Sequence, residues 1–201
     1  ETMTGEKGER TAAVVLAAGQ GKRMQSGVAK QYLLLKGKPV IWYSLEAFEK
    51  SPVDEVILVT GKEETDWVRE HIVDRYGFKK VRAVVAGGAE RYHSVCRGLS
   101  ALDGQDQRPD LVLIHDGARP LISEEVIRRT IEAAREYGRI EPLYAGGYAS
   151  QQSMEQARDG AESARLAYEA AKHQYDLQLE YTSVTAPISG TVETRNVEPH
   201  D

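Results

Sequence analysis

From Thr11 to Tyr137 the chain alternates short apolar, β-branched runs with amphipathic stretches, and this alternation limits its fold more than any other feature. The run AAVVLAA (12–18) precedes a Gly-rich stretch and a helical pattern over 41–50. EVILVT (55–60) is followed by a charged helical pattern over 63–76, then VRAVVA (81–86), a Gly pair and an amphipathic pattern over 90–102. LVLI (111–114) leads through HDGARP into a further helical pattern over 123–137. Strands this short and apolar, separated by helices, predict an α/β fold: a parallel sheet covered on both faces.

In such a sheet ligands bind outside the carboxyl ends of the strands, so the loops after the strands are where chemistry is expected. Three of them are unusual: AAGQGKRM after the first strand, GGAER after the third and HDGARP after the fourth. All three fall on one edge of the predicted sheet.

Gly19-Gln20-Gly21-Lys22-Arg23 suits backbone amides converging on phosphate oxygens. It is not a Walker A loop, because no Gly-Lys-Ser/Thr follows at the required spacing. It is not a dinucleotide fingerprint either, because Met24 stands where the third Gly belongs. By itself it also reads as an ordinary tight turn. Lys22, Arg23 and Lys30 are basic groups close enough in sequence to neutralise a phosphate chain, or simply a solvated basic loop. Asp116, directly after LVLIH, is either a Mg²⁺ ligand or an Asx turn leading into Gly117. His115 is expected to be structural, since a phosphate nucleophile is already ionised and needs no base. Cys96, the only cysteine, allows no internal disulfide, which fits a reducing, cytoplasmic setting, and is expected as a buried helix residue; with His93 alone it cannot complete a zinc shell.

The four stretches VVLAAGQGKRM (14–24), KQYLLLKGKPVIWYSLEAF (30–48), GGAERYHSVCRGL (87–99) and HDGARPLIS (115–123) together resemble the methylerythritol-phosphate cytidylyltransferases. Ala29 departs from that pattern, where the family usually has Pro. The resemblance implies a Rossmann-like nucleotidyltransferase sheet over 11–138, truncated relative to the family. It also implies transfer of a cytidylyl group from CTP to a sugar-alcohol phosphate with Mg²⁺ or another divalent cation. By resemblance, Arg23 and Lys30 stabilise the transition state. Ala17, Ala18, Gly19, Gly21 and Lys22 form the phosphate loop, Gly87, Arg91 and Ser94 contact the nucleotide, and Asp116 holds the metal. A sister family acting on ribitol phosphate has very similar loops, and the half that would separate the two has no match after Gly138.

Residues 1–10 are polar and expected as a flexible terminus, and 139–152 read as a connector. Over 153–180 the spacing of Met154, Ala157, Ala161, Ala164, Tyr168, Ala171 and Tyr175 predicts a coiled-coil-type helix open to self-association. A β-rich segment broken by Pro187 and Gly190 follows over 181–201. Residues 150–199 resemble periplasmic adaptor proteins of efflux and secretion systems, with YTSVTAPISG (181–190) matching the second half of a lipoyl-like domain. That resemblance makes the chain a chimera and an adaptor fragment the rival reading.

With 201 residues, a formal charge of −5 and a pI near 5.6, the chain lacks the basic footprint of a nucleic-acid-binding protein. No apolar run approaches the roughly 20 residues of a membrane span.

Overall fold

A computed structural model describes residues 9–19, 29–103 and 108–162. Four parallel strands form the sheet: β1 (Thr11–Ala17), β4 (Glu55–Thr60), β5 (Val81–Ala86) and β6 (Leu111–Asp116), in the order β5-β4-β1-β6. β1 pairs β4 from Ala12↔Glu55 to Ala17↔Thr60, and β6 from Thr11↔Leu111 to Leu16↔Asp116. Successive strands step from β1 out to β5, and the chain then crosses back to place β6 on the other side of β1. The strand order therefore reverses between β1 and β6, which is where open α/β sheets bind ligands.

One face of the sheet is covered by α1 (Val40–Lys50) and α4 (Glu124–Ala145), where Ile41, Leu45, Phe48, Ile127 and Ile131 meet Ala13, Val15 and Leu58. The other face is covered by α3 (Arg91–Asp103), whose Val95, Leu99 and Leu102 meet Val14, Leu16, Ile57 and Val59. The segment predicted over 63–76 is helical from Thr65, but only Thr65–Val68 (α2) is α-helix, and Arg69–Asp74 winds as a π-helix. The sequence reading does not contain the small antiparallel hairpin of β2 (Leu34–Leu35) and β3 (Lys38–Pro39). Its turn is made by Lys36 and Gly37, both at positive φ (48° and 79°), the geometry that two-residue hairpins prefer.

Three expectations need correction. The connector over 139–152 is largely helix, since α4 continues through Gly138 and Pro142 to Ala145 and a new helix occupies 151–162. Gly and Pro each disfavour a helix interior, but here Ile140 is buried against Met154 and Ala157, and that packing favours continuation. For the same reason the first positions of the heptad seam are covered by α4 of the same chain; the seam beyond 162, the adaptor-like motif and the β-rich segment lie outside the described residues. Cys96 is exposed, because α3 turns Ser94, Gly98 and Leu102 inward and Cys96 lies about 200° around the helix from Ser94.

Candidate active site

The carboxyl ends of all four strands meet along one edge of the sheet. At the end of β1, Ala17, Ala18 and Gly19 begin the glycine loop; Gly21, Lys22 and Arg23 lie outside the described residues. The chain returns as the 3-10 turn Lys30–Tyr32, with Lys30 exposed at the rim and Gln31 buried beneath it. The Gln31 carboxamide donates to the Ala17 carbonyl at 2.6 Å and to the Gly19 carbonyl at 3.3 Å. Tyr32 donates its hydroxyl to Glu64 Oε2 at 2.9 Å, and Glu64 also accepts from the Gly61 amide at 3.2 Å, just past β4. Burial, followed by the charge of Glu64, pushes the Tyr32 hydroxyl well above its usual pKa, so it stays a donor.

At the end of β5 the Gly87 amide donates to the Thr60 carbonyl at 2.7 Å. A Cβ on Gly87 would lie 2.4 Å from the Ala18 Cβ and 3.2 Å from the Thr60 carbonyl, so only glycine lets this turn sit against the glycine loop. Ser94 accepts from the Gly88 amide at 3.1 Å and donates to the Glu90 carbonyl at 3.4 Å. Its hydroxyl, expected at a nucleotide, therefore also braces the turn. Arg97, which the sequence reading does not select, donates to the Gly87 and Ala86 carbonyls at 2.9 and 3.2 Å.

At the end of β6 the Asp116 carboxylate lies between two guanidinium groups. Arg91 donates through Nε and Nη2 to Oδ1, each at 3.2 Å, and Arg119 Nη2 lies 2.8 Å from Oδ2. The Arg91 side chain, at the start of α3, is 65 % exposed and that of Asp116 is 25 % exposed, so the cluster faces the edge where the loops gather. Arg119 is likewise absent from the sequence reading. It could have been found as the basic residue of HDGARP, three positions after Asp116. Among the described residues no three His, Cys, Asp or Glu side chains gather as metal ligands.

His115 is structural in its surroundings: 2 % exposed, packed edge-on to Phe48, with Nε2 3.2 Å from both the Ser44 Oγ and the Arg119 carbonyl. Burial pushes its pKa down to about 4, against smaller opposing effects of the Arg119 carbonyl and Asp116, so the ring is neutral near pH 7. It supports the loop that carries Asp116 and Arg119.

This edge can bind an anionic chain along glycine turns, with Lys30 on one side and the Asp116 cluster on the other. No helix among the described residues is long and apolar enough to cross a membrane.

Known proteins resemble this chain in sequence and in fold. The chain is 53% identical over 128 residues to a 2-C-methyl-D-erythritol 4-phosphate cytidylyltransferase of Lachnoclostridium phytofermentans, a match covering 64% of this chain and 53% of that protein. It is 51% identical over 129 residues to the bifunctional enzyme IspD/IspF of Desulforudis audaxviator, covering 64% of this chain and 32% of that one. The crystal structure of 4-diphosphocytidyl-2C-methyl-D-erythritol synthase from Anaerococcus prevotii superposes with a TM-score of 0.52 at 32% identity, covering 64% of this chain and 52% of that chain. The chain thus spans about half the length of the curated single-function relatives it matches. The family model of IspD, 2-C-methyl-D-erythritol 4-phosphate cytidylyltransferase, matches residues 11–143, and with the sheet and loops described above this places the chain in that family.

Proposed function

We propose that this edge binds CTP and serves the transfer of a cytidylyl group to the phosphate of 2-C-methyl-D-erythritol 4-phosphate, releasing pyrophosphate. The supporting observation is convergence around the carboxyl end of β1: the turn that carries Lys30 holds Ala17 and Gly19, the Gly87 turn approaches Ala18, and Arg91, from the helix after the Gly87 turn, pairs with Asp116 at the end of neighbouring β6. In the transfer an acceptor phosphate oxygen forms a bond to the α-phosphorus while the bond to the β-phosphate oxygen breaks. Such chemistry depends mainly on positioning and positive charge. Lys30, and Arg23 by its place in the family motif, supply that charge. The amides around Ala17, Ala18 and Gly19 receive phosphate oxygens, Gly21 and Lys22 are assigned to the same role by their place in the family motif, and Gly87, Arg91 and Ser94 border the nucleotide.

Asp116 is the residue that would hold a divalent cation. One carboxylate suffices for Mg²⁺, which commonly takes one or two carboxylates and completes its shell with phosphate oxygens and water. Asp116 already balances two guanidinium groups, and exposed Arg91 is the one a cation would displace. When bound, the cation supplies charge neutralisation on the phosphates. A cytoplasmic setting follows from the substrates. For 150–199 the adaptor-like reading, and with it the chimera, rests on the sequence motif alone.

Calorimetric titration of the full chain with CTP and Mg²⁺ tests the assignment. Binding is expected, and Lys30→Ala should weaken it about tenfold or more, since a charge-assisted contact contributes about 1.5–3 kcal/mol. A folded sample that takes up no CTP overturns it. Pyrophosphate release on addition of methylerythritol phosphate to the CTP-bound protein then tests the transfer itself, with turnover in the usual enzyme range of about 1–10³ s⁻¹ as the supporting result and no release as the overturning one.

A further inference from the structure

Gln31 is a polar side chain with 2 % exposure in the middle of a three-residue turn, and buried amides persist where they are hydrogen-bonded. Two of its partners, the Ala17 and Gly19 oxygens, are carbonyls that can only accept. The amide nitrogen must therefore face them, which fixes the orientation of the carboxamide. The two carbonyls flank Ala18, at the point where β1 ends and the glycine loop begins. In a trans peptide the N–H points opposite the C=O. Holding the Ala17 carbonyl toward Gln31 therefore sets the direction of the Ala18 N–H on the far side of the same peptide plane.

Its neighbour anchors the turn a second time, since the Tyr32 hydroxyl reaches Glu64, which also holds Gly61 beyond β4. Gln31 and Tyr32 thus fasten one short turn to the ends of two adjacent strands, and Lys30 projects from that turn. We propose that Gln31 is a positioning residue: its carboxamide fixes the Ala17–Gly19 segment against the Lys30 turn so that the Ala18 amide and the Lys30 ammonium bear on the same phosphate chain. This rests on the reading of the edge as a nucleotide site.

The test is a double-mutant cycle on CTP affinity in the full chain, with thermal unfolding followed in parallel. Gln31→Leu is expected to weaken CTP about tenfold. Lys30→Ala, costly in the native background, should then add less than a further twofold, because groups that act as a unit are not additive. A role in folding alone would lower the unfolding temperature and leave the Lys30→Ala factor intact. Should Gln31→Leu fail to fold, the cycle is run with Gln31→Asn, which keeps the amide but is too short to reach both carbonyls. Unchanged affinity in a folded Gln31 variant, or a fully additive cycle, overturns the proposal alone. Absence of CTP binding by the native chain overturns the nucleotide reading and this inference with it.

Discussion

β1 and β6 are hydrogen-bonded neighbours of similar composition, TAAVVLA beside LVLIHD, yet every residue of β1 is buried whereas in β6 only His115 is. β4, on the other side of β1, is buried throughout. The difference comes from position. β1 has a strand on each side and helices on both faces. β6 has β1 on one side and, among the described residues, no strand on the other. The Leu111 and Gly117 amides donate to the Arg10 and Leu16 carbonyls, so alternate residues face β1 and Val112, Ile114 and Asp116 turn their backbone groups outward. Beside this edge an apolar cleft of about 300 Å³ is lined by Leu113, Ile122, Val126 and Ala161, among others. Apolar sequence makes a strand, but only its neighbours make it core.

The sharpest way to break this comparison is to remove equivalent side chains from the two regions. Leu58, in the middle of β4 with no exposure, should cost about 2–5 kcal/mol when replaced by alanine, the range for deleting a buried leucine. Ile114, 42 % exposed, should cost less than about 1 kcal/mol in the same substitution. Urea unfolding of both variants with an unchanged slope measures the difference. Equal losses would mean that β6 is covered as well as β4.

The sequence made the central strands legible because an apolar run of six or seven residues between helical patterns has few other interpretations. It also located the three loops, since glycine beside basic or acidic residues at strand ends marks a binding edge. What it concealed depended on contacts distant in sequence. Gln31 acquires its role only when folded beneath Ala17 and Gly19, and Arg119 only when it turns back onto Asp116. The continuation of α4 was hidden because Gly138 and Pro142 are helix breakers by propensity, while Ile140 packing against Met154 is a tertiary contact. Cys96 was misplaced because one cysteine in an amphipathic helix does not say which face it takes.

Acid should separate the regions a second way, through the one buried residue of β6. The folded pKa of His115 is depressed to about 4, below an unfolded value near 6.5. Between those values the unfolded chain binds more protons than the folded one. The contribution is therefore complete above about pH 6.5 and lost as the pH falls toward 4, amounting to about 3 kcal/mol. Stability measured from pH 7 to pH 4 should fall accordingly, and His115→Gln should flatten that slope. An unaltered slope in the variant would assign the acid sensitivity elsewhere.

On the central side, the face covered by α3 depends on close approach at Gly98. A Cβ there would lie 2.4 Å from Val14 Cγ1 and 3.2 Å from Val59 Cγ2. Gly98→Ala should gain a little helix propensity but lose more by pushing α3 off β1, a net loss of about 1–3 kcal/mol typical of overpacking. Val14→Ala in the same chain should return part of it, because it removes the methyls that clash. A stabilised Gly98→Ala protein would show that α3 is not held against the sheet as closely as described.

The smallest effect on folding is expected at the open edge, where Ile114→Lys should change stability by no more than about 0.5 kcal/mol, as for an exposed substitution. Its effect should appear in association instead. An apolar edge strand with outward-facing amides and carbonyls offers a template for another strand, and a lysine there opposes pairing through its charge and hydration. Sedimentation over a range of concentrations should show a weight-average mass that rises for the native chain and stays near the monomer value of 22.3 kDa for Ile114→Lys. If the variant instead loses more than about 2 kcal/mol of folding stability, then Ile114 is buried against part of its own chain. The contrast between β1 and β6 would then be one of which segment supplies the cover, not of covered against open.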